Sequence, residues 1–245
     1  MYAHTFTRVY THACIHTHTN ASYVGLPAVG QIFQFSASGS VLEDRAGKHT
    51  IKLLSGELES GYSNSHGLFG IPVPYVEGTS DTIIDWGVRV PETFTICTLA
   101  RYSGKNQGRI FSVADHEGAL NWVHSHYAGK VGVAYYQKWI TSNEVEDTHT
   151  PNTDWIAMCG QNTPSLDGGV QRILVNGENK LVDTGGSVLG SETIMTNFGG
   201  KETSDFQIAK MIIWVRALTQ LEMTQTVEYL RKPAGYILGS TTWLY

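Results

Sequence analysis

Residues 206–223 read Phe-Gln-Ile-Ala-Lys-Met-Ile-Ile-Trp-Val-Arg-Ala-Leu-Thr-Gln-Leu-Glu-Met. The first ten, Phe206 to Val215, are apolar on both alternating faces, which predicts a central strand buried on each side. The period then changes at once. Thr219-Gln-Leu-Glu222 forms a capping box: the Thr219 hydroxyl accepts from the Glu222 amide while the Glu222 carboxylate reaches back. Leu218 and Met223 occupy the two staple positions. Met223, Val227 and Leu230 fall on one helical face, and Pro233 stops the helix. A two-sided strand running straight into one short helix predicts a sheet sandwich with a helical clamp.

Upstream, the chain divides into short strand-like runs. Gln31 to Phe35, Thr82 to Trp86, Phe94 to Tyr102, Arg109 to Val113 and Asp154 to Cys159 are such runs, bounded by turn residues. Arg172 to Val175 meets Asn176-Gly177, a strong hairpin turn, before Asn179 to Val182. Asn121 to Tyr127 and Val131 to Ile140 flank a Gly turn and read as another hairpin. The expectation is an all-β fold, an antiparallel two-sheet jelly-roll sandwich with one short C-terminal α-helix. It spans residues 26–233 as one domain, with 1–25 a flexible N-terminal extension and 234–245 a tail.

Composition agrees. Across 245 residues, 41% are hydrophobic, 11% aromatic and 16% charged, with 26 Gly, enough to bury a sizeable core. The net charge of -5 offers no basic stripe for nucleic acid. No apolar run is long enough to span a membrane. The first 25 residues lack the apolar core of a signal peptide, so either the chain is not secreted or its leader is missing from it. Cys14, Cys97 and Cys159 are too few for a disulfide framework. For Cys97 and Cys159, in apolar runs, buried free thiols are the favoured reading and a bridge the alternative.

Three segments resemble the laminin-G-like, or concanavalin A-like, lectin and glucanase superfamily. Phe94-Thr-Ile-Cys-Thr-Leu-Ala-Arg-Tyr102 resembles the family's "F-T-I-s-a-W" strand, without its Trp. Asp154-Trp-Ile-Ala-Met158 and Arg172-Ile-Leu-Val-Asn-Gly-Glu178 resemble its "W-h-h-v-a" and "r-l-y-v-N-G" strands. Residues 206–223 resemble its closing strand and helix, with Ile208 or Ala209 where Gly is usual. The resemblance implies a β-jelly-roll whose members bind glycans or proteins, often with calcium, and some of which hydrolyse glycosides. It also suggests an extracellular setting.

Retaining glycosidases need two carboxyl groups about 5–5.5 Å apart. The nearest approaches here, Glu144-Val-Glu-Asp147 and Asp115-His-Glu117, read as solvated turn charges, so a catalytic role is not expected. The 121–140 hairpin is richer. A three-residue turn, Ala128-Gly129-Lys130, would pair Tyr127 with Val131. Trp122, His124 and His126 then share a face with Gly132, Ala134, Tyr136 and Lys138. The opposite face, Val123, Tyr127, Val131, Val133, Tyr135 and Trp139, reads as core, so the first face should look outward. There Trp122 and Tyr136 could stack on sugar rings, while Asn121, His124, His126 and Lys138 bond hydroxyls.

A metal at His124 and His126 would need Asp115 or His116 as a third ligand. For calcium, carboxylates at Asp44, Asp115, Glu117, Glu144 to Asp147 and Asp205 are available, with Asp115 and Glu117 the weak candidates. His12, Cys14, His16 and His18 would align on one face of a strand, a set zinc accepts. The segment lacks aliphatic anchors, and a His-Thr micro-repeat in a leader is the better account. The expected function is a non-catalytic recognition module for a glycan or glycoprotein. The alternatives are a protein-interaction domain in an assembly or matrix and a divergent glycoside hydrolase.

Overall fold

The computed structural model describes residues 26–27, 30–37, 42, 44–64, 72–115, 118–162, 172–183, 190 and 192–232, with the backbone alone at 64, 115 and 118–120. The His-Thr segment with His12, Cys14, His16 and His18, and the tail, lie outside these residues, as do His116 and Glu117.

The strands are β1 (Gln31–Ser36), β2 (Lys52–Ser55), β3 (Glu59–Asn64), β4 (Pro72–Gly78), β5 (Ile83–Arg89), β6 (Phe94–Gln107) and β7 (Phe111–Asp115). They continue as β8 (Gly118–Tyr127), β9 (Lys130–Tyr136), β10 (Ile156–Asn162), β11 (Ile173–Val175), β12 (Glu178–Asn179), β13 (Thr193–Thr196) and β14 (Ser204–Trp214). Helix α1 (Gln220–Arg231) follows. Among the described residues one sheet runs β12-β11-β10-β6-β14-β4-β3, with β1 also paired to β14, and the second runs β2-β5-β13-β7-β8-β9. Every pairing is antiparallel. The architecture is the expected two-sheet sandwich with one helix.

Strand β14 lies where its two apolar faces require. Ile208 pairs with Ala100 and Lys210 with Leu99, so Ala209 is an extra residue, a bulge that shifts the alternation by one. Phe206, Ile208, Met211 and Ile213 consequently all enter the core between the sheets. Ala209, Ile212 and Trp214 face the other way, into a second core closed by Leu218, Met223, Val227 and Leu230. The capping box forms as the sequence predicts. Arg216 reinforces it with bonds of 2.9 and 2.6 Å to the Glu222 carboxylate, holding that group down at about 2. At the far end Lys210, buried, donates to the carbonyls of Tyr229, Leu230 and Lys232 at 3.0, 3.2 and 2.7 Å. Its N–H donors satisfy the orphan acceptors of the last turn, while burial, then the Arg45 charge, pulls its pKa down to about 7.

The cysteine reading is corrected. Cys97 on β6 and Cys159 on β10 are direct cross-strand partners and form a buried disulfide, with Cα atoms 4.1 Å apart. Both runs were correctly read as strands, but only their register sets the two thiols opposite each other.

Candidate functional site

The hairpin β8–β9 turns through two residues, Ala128-Gly129, with Tyr127 opposite Lys130 rather than Val131. His126 then pairs with Val131 and Ser125 with Val133, which leaves Gly132 (φ 85°) as the extra residue of a bulge. Beyond it the expected register is recovered: Trp122 opposite Tyr136 and His124 opposite Ala134. Trp122, His124, His126 and Tyr136 therefore group as read from the sequence, but inside and outside are exchanged; Val131 joins them in the core and Lys138 leaves them for the surface. Trp122, His124, His126 and Tyr136 are all at 0% exposure. They cannot form a solvent-facing ligand site.

The reason lies on another strand. Trp122 and Tyr136 stack with centroids 5.2 Å apart, His124 lies near-parallel to Tyr136 at 6.2 Å, and Phe94 meets Tyr136 edge-on at 5.1 Å. The Tyr136 hydroxyl crosses the interior toward β10, where any Cβ on Gly160 would collide with it. Gly160 thus makes the room that lets this ring stack fill the sandwich. The Tyr136 hydroxyl and His124 Nδ1 are 2.7 Å apart. Burial holds the His124 imidazole down at about 3, with the Met158 carbonyl acting the other way. Burial, then the His124 charge, does the same to His126.

The metal readings gain no ligand set: among the described residues no group of three His, Cys, Asp or Glu side chains could hold an ion. The acidic loops have other work. Burial would raise the Asp44 pKa, but hydrogen bonds from the Gln34 amide, the His49 ring and the Ala46 and Lys48 amides outweigh it and lower it. Asp205 likewise accepts from the Ser80 and Asn106 amides and the Asn106 side chain. Both carboxylates organise turns.

The outward face of the hairpin carries the residues that were expected to be core. With Tyr136 inward, Tyr135 lies on the outer face over its buried partner Val123, and Tyr127 does so after the inward His126. Gln137 adopts φ 63°, turning the chain so that Trp139 bridges back to Tyr135. The Trp139 ring packs 5.2 Å from Tyr135 and 5.7 Å from Tyr127. All three rings are half-buried. The Arg109 guanidinium lies 5.3 Å over the Tyr127 ring, bonds the exposed Asn121 at 3.1 Å and pairs with Glu202. The Tyr127 hydroxyl also donates to Glu202, at 3.3 Å.

This is an aromatic ledge with hydrogen-bonding groups along one side. Of the six hairpin residues expected to bind a glycan, Lys138, paired with Asp183 at 2.7 Å, and Asn121 are the two that remain exposed. Arg109 and Glu202 were not anticipated, because they arrive from β7's approach and from a distant loop. The polar Gln137-Lys138 pair was the available sign that Trp139 folds back. A larger hollow of 730 Å³ between Ser80, Asp81, Asn197 and Thr203 has only Phe198 as an aromatic in its lining.

No family model matches the sequence, and no curated protein matches it. Solved structures share the fold. The receptor-binding domain of botulinum neurotoxin type G is similar at a TM-score of 0.54 and 14% identity, over 82% of this chain and 51% of that one. The receptor-binding domain of the C/D mosaic serotype matches at 0.53 and 14%, over the same shares. Domain 4 of AbnA, a GH43 extracellular arabinanase from Geobacillus stearothermophilus solved in complex with arabinotriose, matches at 0.55 and 14%, over 80% of this chain and 98% of that domain. The chain spans about half the length of the neurotoxin domains it matches. Identities this low establish a shared β-sandwich fold.

Proposed function

We propose that the protein is a non-catalytic recognition module of laminin-G-like type that binds carbohydrate on the ledge of Tyr127, Tyr135 and Trp139. The observation that carries this reading is the ledge itself. Trp139 packs against Tyr127 and Tyr135, three half-buried rings on a sheet face, beside Arg109, Asn121 and Glu202. Sugars present apolar C–H faces ringed by hydroxyls, so stacking rings with adjacent donors and acceptors match both parts. That Domain 4 of AbnA was solved with arabinotriose supports a glycan as ligand. The Cys97–Cys159 bridge supports an oxidising compartment, where secreted glycan-binding proteins work.

Affinity electrophoresis through gels containing arabinan, xylan, mannan or β-glucan tests the reading. The parent protein is expected to be retarded by at least one polysaccharide, and Trp139→Ala with Tyr127→Ala to migrate freely while its thermal unfolding stays cooperative. Retardation unchanged in that variant would remove the ledge from consideration. A parent that no polysaccharide retards would favour a protein partner, the reading to which the receptor-binding domains point.

A further inference from the structure

On one side of the sandwich β9, the edge of one sheet, and the β11–β12 hairpin at the edge of the other leave an opening between them, closed at one end where Thr141 pairs with Leu181. The segment 142–150 arches over this opening and returns through the His149 amide, which donates to the Val131 carbonyl at 3.1 Å. Beneath the arch lies a cleft of 310 Å³, bounded by Gly132, Asp147, His149, Asn176, Glu178 and Lys180. It continues past Gly132, Asp147 and Lys180 into a smaller hollow of 190 Å³ lined by Thr141, Ser142 and Leu181. None of these residues belongs to the ledge.

Gly132 sets the depth. It is the bulge residue of β9, and a Cβ there would come within 3.0 Å of Val175 Cγ1. Val131 and Val175 close the floor, buried at 1% and 4% exposure. The walls above are polar and of mixed sign. Asp147 stands exposed at the end of the Val145–Asp147 turn. Across from the arch, on the hairpin, Lys180 lies 3.3 Å from Glu178.

We propose that this cleft is a second binding site, for a single neutral sugar unit. Two carboxylates against one ammonium, itself next to Glu178, disfavour an anionic ligand such as a uronate or a phosphate. A wholly apolar ligand would desolvate the same charges without replacing their hydrogen bonds. A sugar ring does neither: Asp147 accepts from its hydroxyls, and Lys180 donates to its oxygens. The volume sits at the small end of ligand clefts, about 300–1,000 Å³, which suits one unit or the end of a chain rather than an extended polymer. The ledge would grip a chain by stacking, the cleft by hydrogen bonds alone.

The test is amide chemical-shift mapping of the whole chain, titrated with methyl arabinofuranoside, methyl mannoside, methyl glucoside, methyl galactoside and, separately, galacturonate. At least one neutral glycoside is expected to shift Gly132, His149 and residues 176–180. Asp147→Ala and Lys180→Ala should each weaken that response about tenfold or more, the loss of a hydrogen bond to a charged group. Trp139→Ala should leave it intact, so failure of the ledge and failure of the cleft are read independently. Absence of shifts at these amides with every neutral glycoside would overturn the proposal. So would tighter binding there by galacturonate than by the galactoside, or an unweakened response in both cleft variants.

Discussion

His126 sits at 0% exposure with neither ring nitrogen hydrogen-bonded, its ring edge-on to Tyr102 at 4.7 Å. Such a group is tolerated only while uncharged. With both His124 and His126 held at about 3, against an ordinary value of 6.5, the folded state refuses protons that the unfolded chain accepts. The histidine contribution is therefore present above pH 6.5 and is lost as pH drops from 6.5 toward 3, by roughly 1 kcal/mol per pH unit for each histidine. Urea midpoints should decline steeply between pH 7 and pH 5. His126→Phe should roughly halve that slope, and replacing an unpartnered polar ring by an apolar one should cost little at pH 7. A slope unchanged in the variant would mean that the histidines are not the groups responsible.

Among the elements, α1 depends most on one residue outside itself. Lys210 of β14 fills three carbonyls at the end of the helix and lies 4.5 Å over the Tyr229 ring. Lys210→Met keeps the stem but strands those acceptors. A loss of about 1–3 kcal/mol is expected from chemical denaturation, with amide exchange accelerating first in residues 226–231. A variant as stable as the parent would show that the carbonyls find other donors.

How far the sequence carried differs between two neighbouring kinds of element. The β14–α1 unit was legible because a run apolar on both strand faces gave way to a capping box within four residues, both local signals. The β8–β9 hairpin was half legible. Period two sorted Trp122, His124 and Tyr136 onto one face and Val123 and Tyr135 onto the other. Both faces are aromatic, so composition could not say which was inside. That was decided by the space at Gly160, on a strand far along the chain. The bulges at Ala209 and Gly132, each a one-residue phase shift, were likewise invisible to an alternation count.

At the scale of the molecule, the Cys97–Cys159 bridge ties β6 to β10 across 62 residues of sequence, a span that includes the whole β7–β9 region. Closing a loop of that length restricts the unfolded chain, and its removal is expected to cost about 2–5 kcal/mol. Cys97→Ala with Cys159→Ala should lower the urea midpoint accordingly, and dithiothreitol added under denaturing conditions should do the same to the parent. If neither shifts the midpoint, the bridge contributes nothing to the fold's stability. Because the pair lies beneath α1 on the outer face of its sheet, on the side away from the ledge, ligand binding by any refolded fraction should be unaffected.

Tyr136 reaches through the sandwich to Gly160, and its chain neighbour Tyr135 points the opposite way into the ledge. One strand thus carries an anchor and a contact surface on consecutive residues. The ledge is pre-organised: a ligand that lands on it orders little protein, so less of the contact energy is lost to conformational entropy. The corresponding penalty is selectivity by shape. A platform fixed from behind cannot mould itself to its guest, and a glycan bound there as proposed would have to hold beforehand the curvature that the rings present.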